Sequence, residues 1–199
     1  MKKFRNVVWE GRFQPFHRGH CEYVRRLLDY GERVWIYVVA NEVSTEVVED
    51  PSRLPVPEFT RAVDPHHAPS KNVLPLWLRC LIVQRAVASE FGPDAPISVS
   101  SGRRLDLDWA YYEKNLPPDR VFLTPLRDSF EDVKAASWQK LGERCERLDV
   151  SDLPRISATM IRERLASGAD VSDLLPPVVK ELLEEFGYLE RLMAASALA

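Results

Sequence analysis

The chain has 199 residues, 45% hydrophobic and 29% charged, with 27 basic against 30 acidic side chains for a formal net charge of −3. That length and composition fit one globular domain whose core needs no disulfide or metal staple. They exclude a disordered, collagenous or coiled-coil chain, and no global basic field advertises nucleic acid or a membrane surface.

Residues 5–11 predict a short buried strand ending at Gly11. Residues 19–30 predict a helix with Val24, Leu27 and Leu28 on its apolar face and Gly31 as its stop. The β-branched and aromatic run 33–40 predicts a second buried strand, completing a βαβ unit. Its apolar core, Val34 to Ala40, is far too short to span a bilayer. Met1-Lys2-Lys3 is basic, but Arg5, Glu10 and Arg12 break any signal-peptide core.

Residues 41–75 carry Pro51, Pro55, Pro57, Pro65, Pro69 and Pro75. This density predicts an insertion without regular helix or central strand, either a lid over a site or a loop with no role. Helical periodicity resumes at 76–90, and a third strand is expected at 97–101. A short helix at 107–116 stops at Pro117-Pro118, and a fourth strand follows at 120–124. Then come a helix at 130–141, a fifth strand at 145–150, and helices at 156–166 and 178–186, with a frayed alanine-rich end at 194–199. Strands alternating with helices predict an α/β, Rossmann-like, doubly wound parallel sheet of about five strands with a C-terminal helical segment. The whole, 1–199, reads as one domain with a Pro-rich insertion at about 41–75. Cys21, Cys80 and Cys145 are odd in number and widely spaced, which predicts reduced thiols and a cytoplasmic protein.

The segment Gly11-Arg-Phe-Gln-Pro-Phe-His-Arg-Gly-His20 lies between the first strand and the first helix. In an open α/β sheet, ligands bind at the carboxyl ends of strands, and a helix N-terminus favours an anion. Gly11 and Gly19 would let backbone approach a ligand, and Pro15 stiffens the turn. His17 and His20 could donate to phosphate oxygens, and Arg12 could add fixed charge. A zinc pair would want a third ligand, and Cys21 points about 100° away from His20 on a helix. At the other end of the chain, Ile156-Ser-Ala-Thr-Met-Ile-Arg162 opens a helix. Ser157 or Thr159 could cap it, and with Arg162 one turn inside they could form a second anion cradle.

The first string resembles the HxGH motif of the nucleotidyltransferase superfamily. Its longer form, GRFQPFHxGH, is similar to the archaeal-type nicotinamide-nucleotide adenylyltransferases and related phosphonate cytidylyltransferases. The second string resembles the superfamily's ISxTxxR motif, which closes on the triphosphate from the opposite side. The resemblance implies transfer of AMP or CMP from ATP or CTP to a small anionic acceptor, with pyrophosphate released. It implies catalysis by His17, His20 and Arg162, and nucleotide binding by Gly11, Arg12, Phe13, Gly19, Ser157 and Thr159. Mg²⁺ is expected to ride on the nucleotide's phosphates, with no metal ligand among the side chains. Neither nucleic acid nor membrane is an expected partner, while a homo-oligomer is compatible with relatives of this kind.

The acceptor is less legible. Relatives place an acceptor-binding arginine near Arg79, but the glycine and glutamate around theirs are missing, so Arg79 is either that residue or a surface arginine. Trp109, with Asp106 and Asp108 beside it, is either part of an acceptor slot or core. The SGN segment that relatives hold after the fourth strand is here Leu123-Thr124-Pro125. A phosphonate such as phosphonoformate would want arginines instead, and Arg103, Arg104, Arg120 and Arg127 are at hand. Two other classes fit the sequence less well. A class I aminoacyl-tRNA synthetase needs a longer chain and a lysine-rich second loop, and no lysine lies near Ile156–Arg162. A catalytically silent nucleotide-sensing module would bind triphosphate without releasing pyrophosphate, but both motifs are complete at their polar positions.

Overall fold

The computed structural model describes residues 2–40, 54–67 and 71–196. Five parallel strands form one sheet: β1 (Phe4–Gly11), β2 (Gly31–Val39), β3 (Ile97–Gly102), β4 (Arg120–Leu126) and β5 (Cys145–Asp149). Their spatial order is β3-β2-β1-β4-β5, all neighbours parallel, with Val7 of β1 opposite both Val34 and Val121. The chain winds outward from β1 to β3, then returns to place β4 on β1's other side. That reversal opens a crevice at the carboxyl ends of β1 and β4.

Period-two alternation sorts the strand side chains between two cores. Val7, Trp9, Val34, Ile36, Val38, Val121 and Leu123 face one, under α1 (Arg18–Tyr30), α3 (Leu76–Phe91), α6 (Ala158–Ala166), α7 (Pro177–Glu185) and α8 (Leu189–Ser196). Val8, Tyr37, Val39 and Phe122 face the other, under α2 (Pro57–Val63), α4 (Trp109–Asn115) and α5 (Ser129–Lys140). Both faces of the sheet are thus covered, which is why the central strands β1, β2 and β4 carry continuous apolar runs, unlike the edge strands β3 and β5.

Three expectations need correction. The Pro-rich segment is not devoid of helix: α2 runs from Pro57 to Val63, and a 3₁₀ turn follows at Asp64–His67. Pro57 sits in the first turn, where its missing N–H takes no bond from the helix. The remaining stretches, 41–53 and 68–70, lie outside the described residues. The chain end is helical through Ser196 rather than frayed from Ala194, because Leu192 buries into the first core. Trp109 is core: its ring lies 5.9 Å from Trp138 and 6.4 Å from Phe122. No helix among the described residues is long and apolar enough to cross a membrane.

Candidate functional site

A cavity of about 300 Å³ opens at the crevice between β1 and β4. The turn Gly11–Phe16 forms its floor, and its conformation is dictated by packing. Phe13 takes a left-handed backbone, φ 53°, which folds its ring back over Gly11. A Cβ on Gly11 would sit 2.8 Å from that ring, so only glycine fits. The Gln14 carboxamide pairs with Leu74 as a strand would, donating to its carbonyl at 3.0 Å and accepting from its N–H at 2.9 Å.

Arg79 is neither on the surface nor on the cavity wall. It is fully buried, and its guanidinium donates to the carbonyls of Leu74 (3.0 Å), Arg12 (2.8 Å) and Val39 (2.7 Å). A planar guanidinium with its fork of donors can serve three inward carbonyls at once. Arg79 therefore ties the Gly11–Phe16 turn to β2 and to the start of α3.

His17 caps α1, and the cap is reciprocal. His17 Nδ1 accepts from the His20 N–H, and His20 Nδ1 accepts from the His17 N–H, both at 3.3 Å. The two rings stack with centroids 3.6 Å apart. Because each Nδ1 accepts, each proton resides on Nε2, which makes both rings donors for a ligand. Trp9, Phe13 and Phe16 ring His20 at 5.2 to 5.5 Å. Burial, reinforced by the nearby Arg127 charge, pushes the His17 pKa down to about 3. Burial, then His17 and Arg127, likewise hold His20 well below the usual imidazole range. Both imidazoles are neutral donors at neutral pH. The Gly19 N–H, in the first turn of α1, has no hydrogen-bond partner among the described residues and adds a backbone donor.

The second motif meets the first here. A Cβ on Gly19 would lie 3.2 Å from the His17 ring and 3.4 Å from Ile156 Cβ, so this glycine is where the two segments touch. Ile156, Ser157 and Ala158 line the same cavity as Gly19, His17 and His20. Ser157 is the N-cap of α6, accepting from Met160 N–H at 3.1 Å. Thr159 and Arg162 stand just outside the wall, with Arg162 Nη2 donating to Thr159 Oγ1 at 3.2 Å. Arg162 is nevertheless within electrostatic reach of Arg12. Burial first, then the charges of Arg162 and Arg79, lower the Arg12 pKa to about 10 against the opposing pull of Glu10. Among the described residues, Arg12 donates only to uncharged oxygens, the His66 carbonyl and Asn72 Oδ1. Arg127, exposed at the end of β4, also lines the cavity. None of Arg12, Arg127 and Arg162 is in an ion pair among the described residues. Arg12 and Arg162, which repel each other, together with Arg127 and the two donor imidazoles, form an arrangement able to hold a polyanion.

On the opposite wall, Arg104 and Asp106 were among the sequence candidates, while Glu10 and Lys134 were missed. Lys134, buried on α5, binds Glu10 Oε1 at 2.6 Å, and Arg104 is chelated by Asp106 at 3.1 and 2.6 Å; all four line the cavity. One signal was available: Phe130, Lys134 and Trp138 recur every four residues, so a lysine sits on an apolar helical stripe. Arg120, offered for an acceptor, is instead paired with Glu143.

The profile of the cytidylyltransferase-like family matches residues 8–164. The chain is 28% identical over 191 residues to a phosphonoformate cytidylyltransferase of Streptomyces viridochromogenes, covering 94% of this chain and 95% of the relative. It is 25% identical over 183 residues to a nicotinamide-nucleotide adenylyltransferase of Methanosphaerula palustris, covering 92% of each. Among solved structures, the fold is similar to a Plasmodium falciparum nicotinic acid mononucleotide adenylyltransferase complexed with NaAD, with TM-score 0.56 and 12% identity over 94% of this chain and 98% of that one. It is also similar to a bifunctional NMN adenylyltransferase/ADP ribose pyrophosphatase of Francisella tularensis complexed with AMP and a manganese ion, with TM-score 0.61 and 14% identity; there 96% of this chain spans 52% of the other. With the match running from β1 through α6 and so embracing both segments that meet at the cavity, the chain belongs to the cytidylyltransferase-like family and is a nucleotidyltransferase.

Proposed function

We propose that the protein transfers CMP or AMP from the corresponding triphosphate to a small phosphonate-bearing acceptor. The observation that carries this reading is the contact of the two motif segments at Gly19 and Ile156, which puts donor imidazoles and Ser157 around one cavity. An acceptor oxygen attacks the α-phosphorus, a new P–O bond forms, and the bond to the β-phosphate's bridging oxygen breaks. Pyrophosphate leaves with that electron pair. His17 and His20 donate through Nε2 to oxygens whose negative charge grows in the transition state, and Arg12, Arg127 and Arg162 neutralise the departing pyrophosphate. The imidazoles are fixed before substrate arrives, so the donors need no reorganisation during the step. No covalent intermediate is expected: Lys134 is held as a cation by Glu10, and the Ser157 hydroxyl is engaged as the N-cap of α6.

The phosphate end fits magnesium only as a passenger. Its side chains are cations and neutral donors, and no cluster of three His, Cys, Asp or Glu able to hold a metal occurs among the described residues. Mg²⁺ would enter on the triphosphate oxygens and supply further charge neutralisation. We read 1–199 as one domain with the Pro-rich insertion at about 41–75 as a lid, of which 41–53 and 68–70 lie outside the described residues. Arg12 reaches the His66 carbonyl, and Phe59 packs on Trp138 and Phe130. The free thiols of Cys21, Cys80 and Cys145 support a reducing, cytoplasmic setting.

The phosphonate acceptor is supported by the 28% identical relative, a phosphonoformate cytidylyltransferase, and by Trp109, which is packed into the core and so cannot itself stack on a pyridine ring. The adenylyltransferase reading keeps support from the relative that is 25% identical. A pyrophosphate-release matrix decides: ATP and CTP, each with phosphonoformate, nicotinamide mononucleotide, pantetheine phosphate and glycerol phosphate, in Mg²⁺. Release with a phosphonate is expected. Release with ATP and nicotinamide mononucleotide alone would retire the phosphonate reading. Triphosphate binding with no release for any acceptor would favour a nucleotide sensor.

A further inference from the structure

The cavity has a second end that the phosphate chemistry does not use. α5 presents Glu131, Lys134 and Trp138 on one face, at i, i+3 and i+7, and all three line the cavity together with Glu10. Lys134 Nζ lies 2.6 Å from Glu10 Oε1 and 3.9 Å from Glu131 Oε2, and it also donates to the Glu10 carbonyl at 3.2 Å. Arg104 repeats the arrangement: Asp106 chelates one edge of its guanidinium, and Asp64 accepts from the other. Each cation of this wall therefore stands between two carboxylates, and the wall carries an excess of negative charge.

Glu131 is the carboxylate left over. Neither of its oxygens receives a hydrogen bond among the described residues, and Oε2 is sealed from solvent. Burial raises its pKa, against the pull of Lys134. A desolvated carboxylate without a donor is costly, and a cationic donor supplied by a ligand recovers much of that cost. Phe59 and Phe130 line the same end, and aromatic faces attract cations. The phosphate end contrasts with this, because Arg12, Arg127 and Arg162 have no ion-pair partner among the described residues while the cations here are over-matched.

We propose that the acceptor is zwitterionic: a phosphonate that attacks the α-phosphorus, joined by a short linker to a protonated amine received by the Glu131 carboxylate. The proposal rests on the nucleotidyl-transfer reading above and names the class of acceptor within it. The amine takes no part in bond making. It keeps its proton, and its ion pair with Glu131 points the phosphonate oxygens at the nucleotide. Glu131 is a specificity-determining residue, and Lys134 holds it in place from the same helix.

The test compares 2-aminoethylphosphonate with propylphosphonate, which replaces the ammonium by a methyl group, and with phosphonoformate. Pyrophosphate release is followed with ATP and with CTP, and binding of each phosphonate is measured by calorimetry beside a non-hydrolysable triphosphate. The expected kcat/KM for the amine exceeds that for propylphosphonate at least about 30-fold, the scale on which a desolvated charge pair acts. Glu131→Gln brings that ratio close to one and leaves the KM for the triphosphate unchanged. Equal use of the amine and its isostere by the wild-type protein overturns the proposal without any variant having to fold. So does a preference for phosphonoformate, binding of neither alkyl phosphonate, or a Glu131→Gln variant that shifts the choice of base instead. Turnover of phosphonoformate alone leaves nucleotidyl transfer standing. Failure of the wild-type protein to bind either triphosphate strikes the underlying reading instead.

Discussion

The two helix starts that meet at the cavity are built differently. α1 begins with a closed device: two stacked imidazoles cap each other's backbone, three aromatic rings enclose His20, and Arg79 pins the preceding turn from beneath. α6 begins in the open. Ser157 and Thr159 are exposed, and Arg162 makes one contact, to Thr159, among the described residues. The first start is preorganised, with tautomers and orientations set before any ligand arrives. The second can follow a triphosphate into place. Transition-state stabilisation demands fixed donors, whereas capture and release of a polyanion tolerate a movable cation.

The largest expected effect breaks the closed side at its foundation. Arg79→Met keeps the volume but takes its donors from the Arg12 and Val39 carbonyls and leaves the Leu74 carbonyl with Gln14 alone, which should cost about 3 kcal/mol. Chemical denaturation should show the loss as a lowered midpoint with an unchanged slope. If Arg79 instead held the acceptor, the midpoint would stay and the acceptor KM would rise. His20→Ala comes next. It removes a donor and opens the cap of α1 together, so kcat should fall by about 10²-fold to 10³-fold. An unchanged single-turnover rate would remove His20 from the chemistry.

Arg162→Ala tests the open side. We expect kcat/KM to fall about tenfold to a hundredfold, with most of the change in the KM for the triphosphate, as for a charge that gathers phosphates without being fixed. A loss confined to kcat would make α6 as preorganised as α1. Gly19→Ala probes the seam between the two. The added methyl meets the His17 ring at 3.2 Å and Ile156 at 3.4 Å, so one of them must yield by a few tenths of an ångström. About a tenfold drop in kcat with near-wild-type stability is expected. Full activity would mean that the two motif segments need not touch.

The same contrast explains what the sequence could disclose. The strands, most of the helices and both phosphate-facing motifs follow from periodicity and from local strings, because those features are short-range. Arg79, Gln14, Glu10 and Lys134 act across the fold, on carbonyls and carboxylates far away in sequence. Arg79 bonds Arg12, and Lys134 bonds Glu10. A lone arginine in a helix carries no mark of the carbonyls it will meet. α2 was hidden by its prolines, although Pro57 occupies the position where proline begins a helix. Trp109 was ambiguous by composition and was decided by Trp138 and Phe122, which approach it only in three dimensions.

The effect that is smallest at neutral pH concerns protons, and its sign follows from burial. An unfolded chain binds a proton on His17 near the ordinary imidazole value of about 6.5, while the folded chain resists protonation down to about 3. Above about pH 6.5 neither state is protonated, so this imidazole leaves stability flat there. Below it the unfolded state binds more protons, and stability falls by up to about 1.4 kcal/mol per pH unit as the medium approaches pH 3. His20, held low by the same burial, adds a second increment of the same sign. Asparagine at position 17 can still accept at the helix start but does not titrate, so His17→Asn should shallow the stability profile between pH 6 and pH 4. The kcat of the wild-type protein should show no limb near pH 6.5 from these rings, since both stay neutral donors throughout. A limb there that vanishes in His17→Asn would mean that the cap opens and reprotonates during turnover, and the closed start of α1 would then be as mobile as the open start of α6.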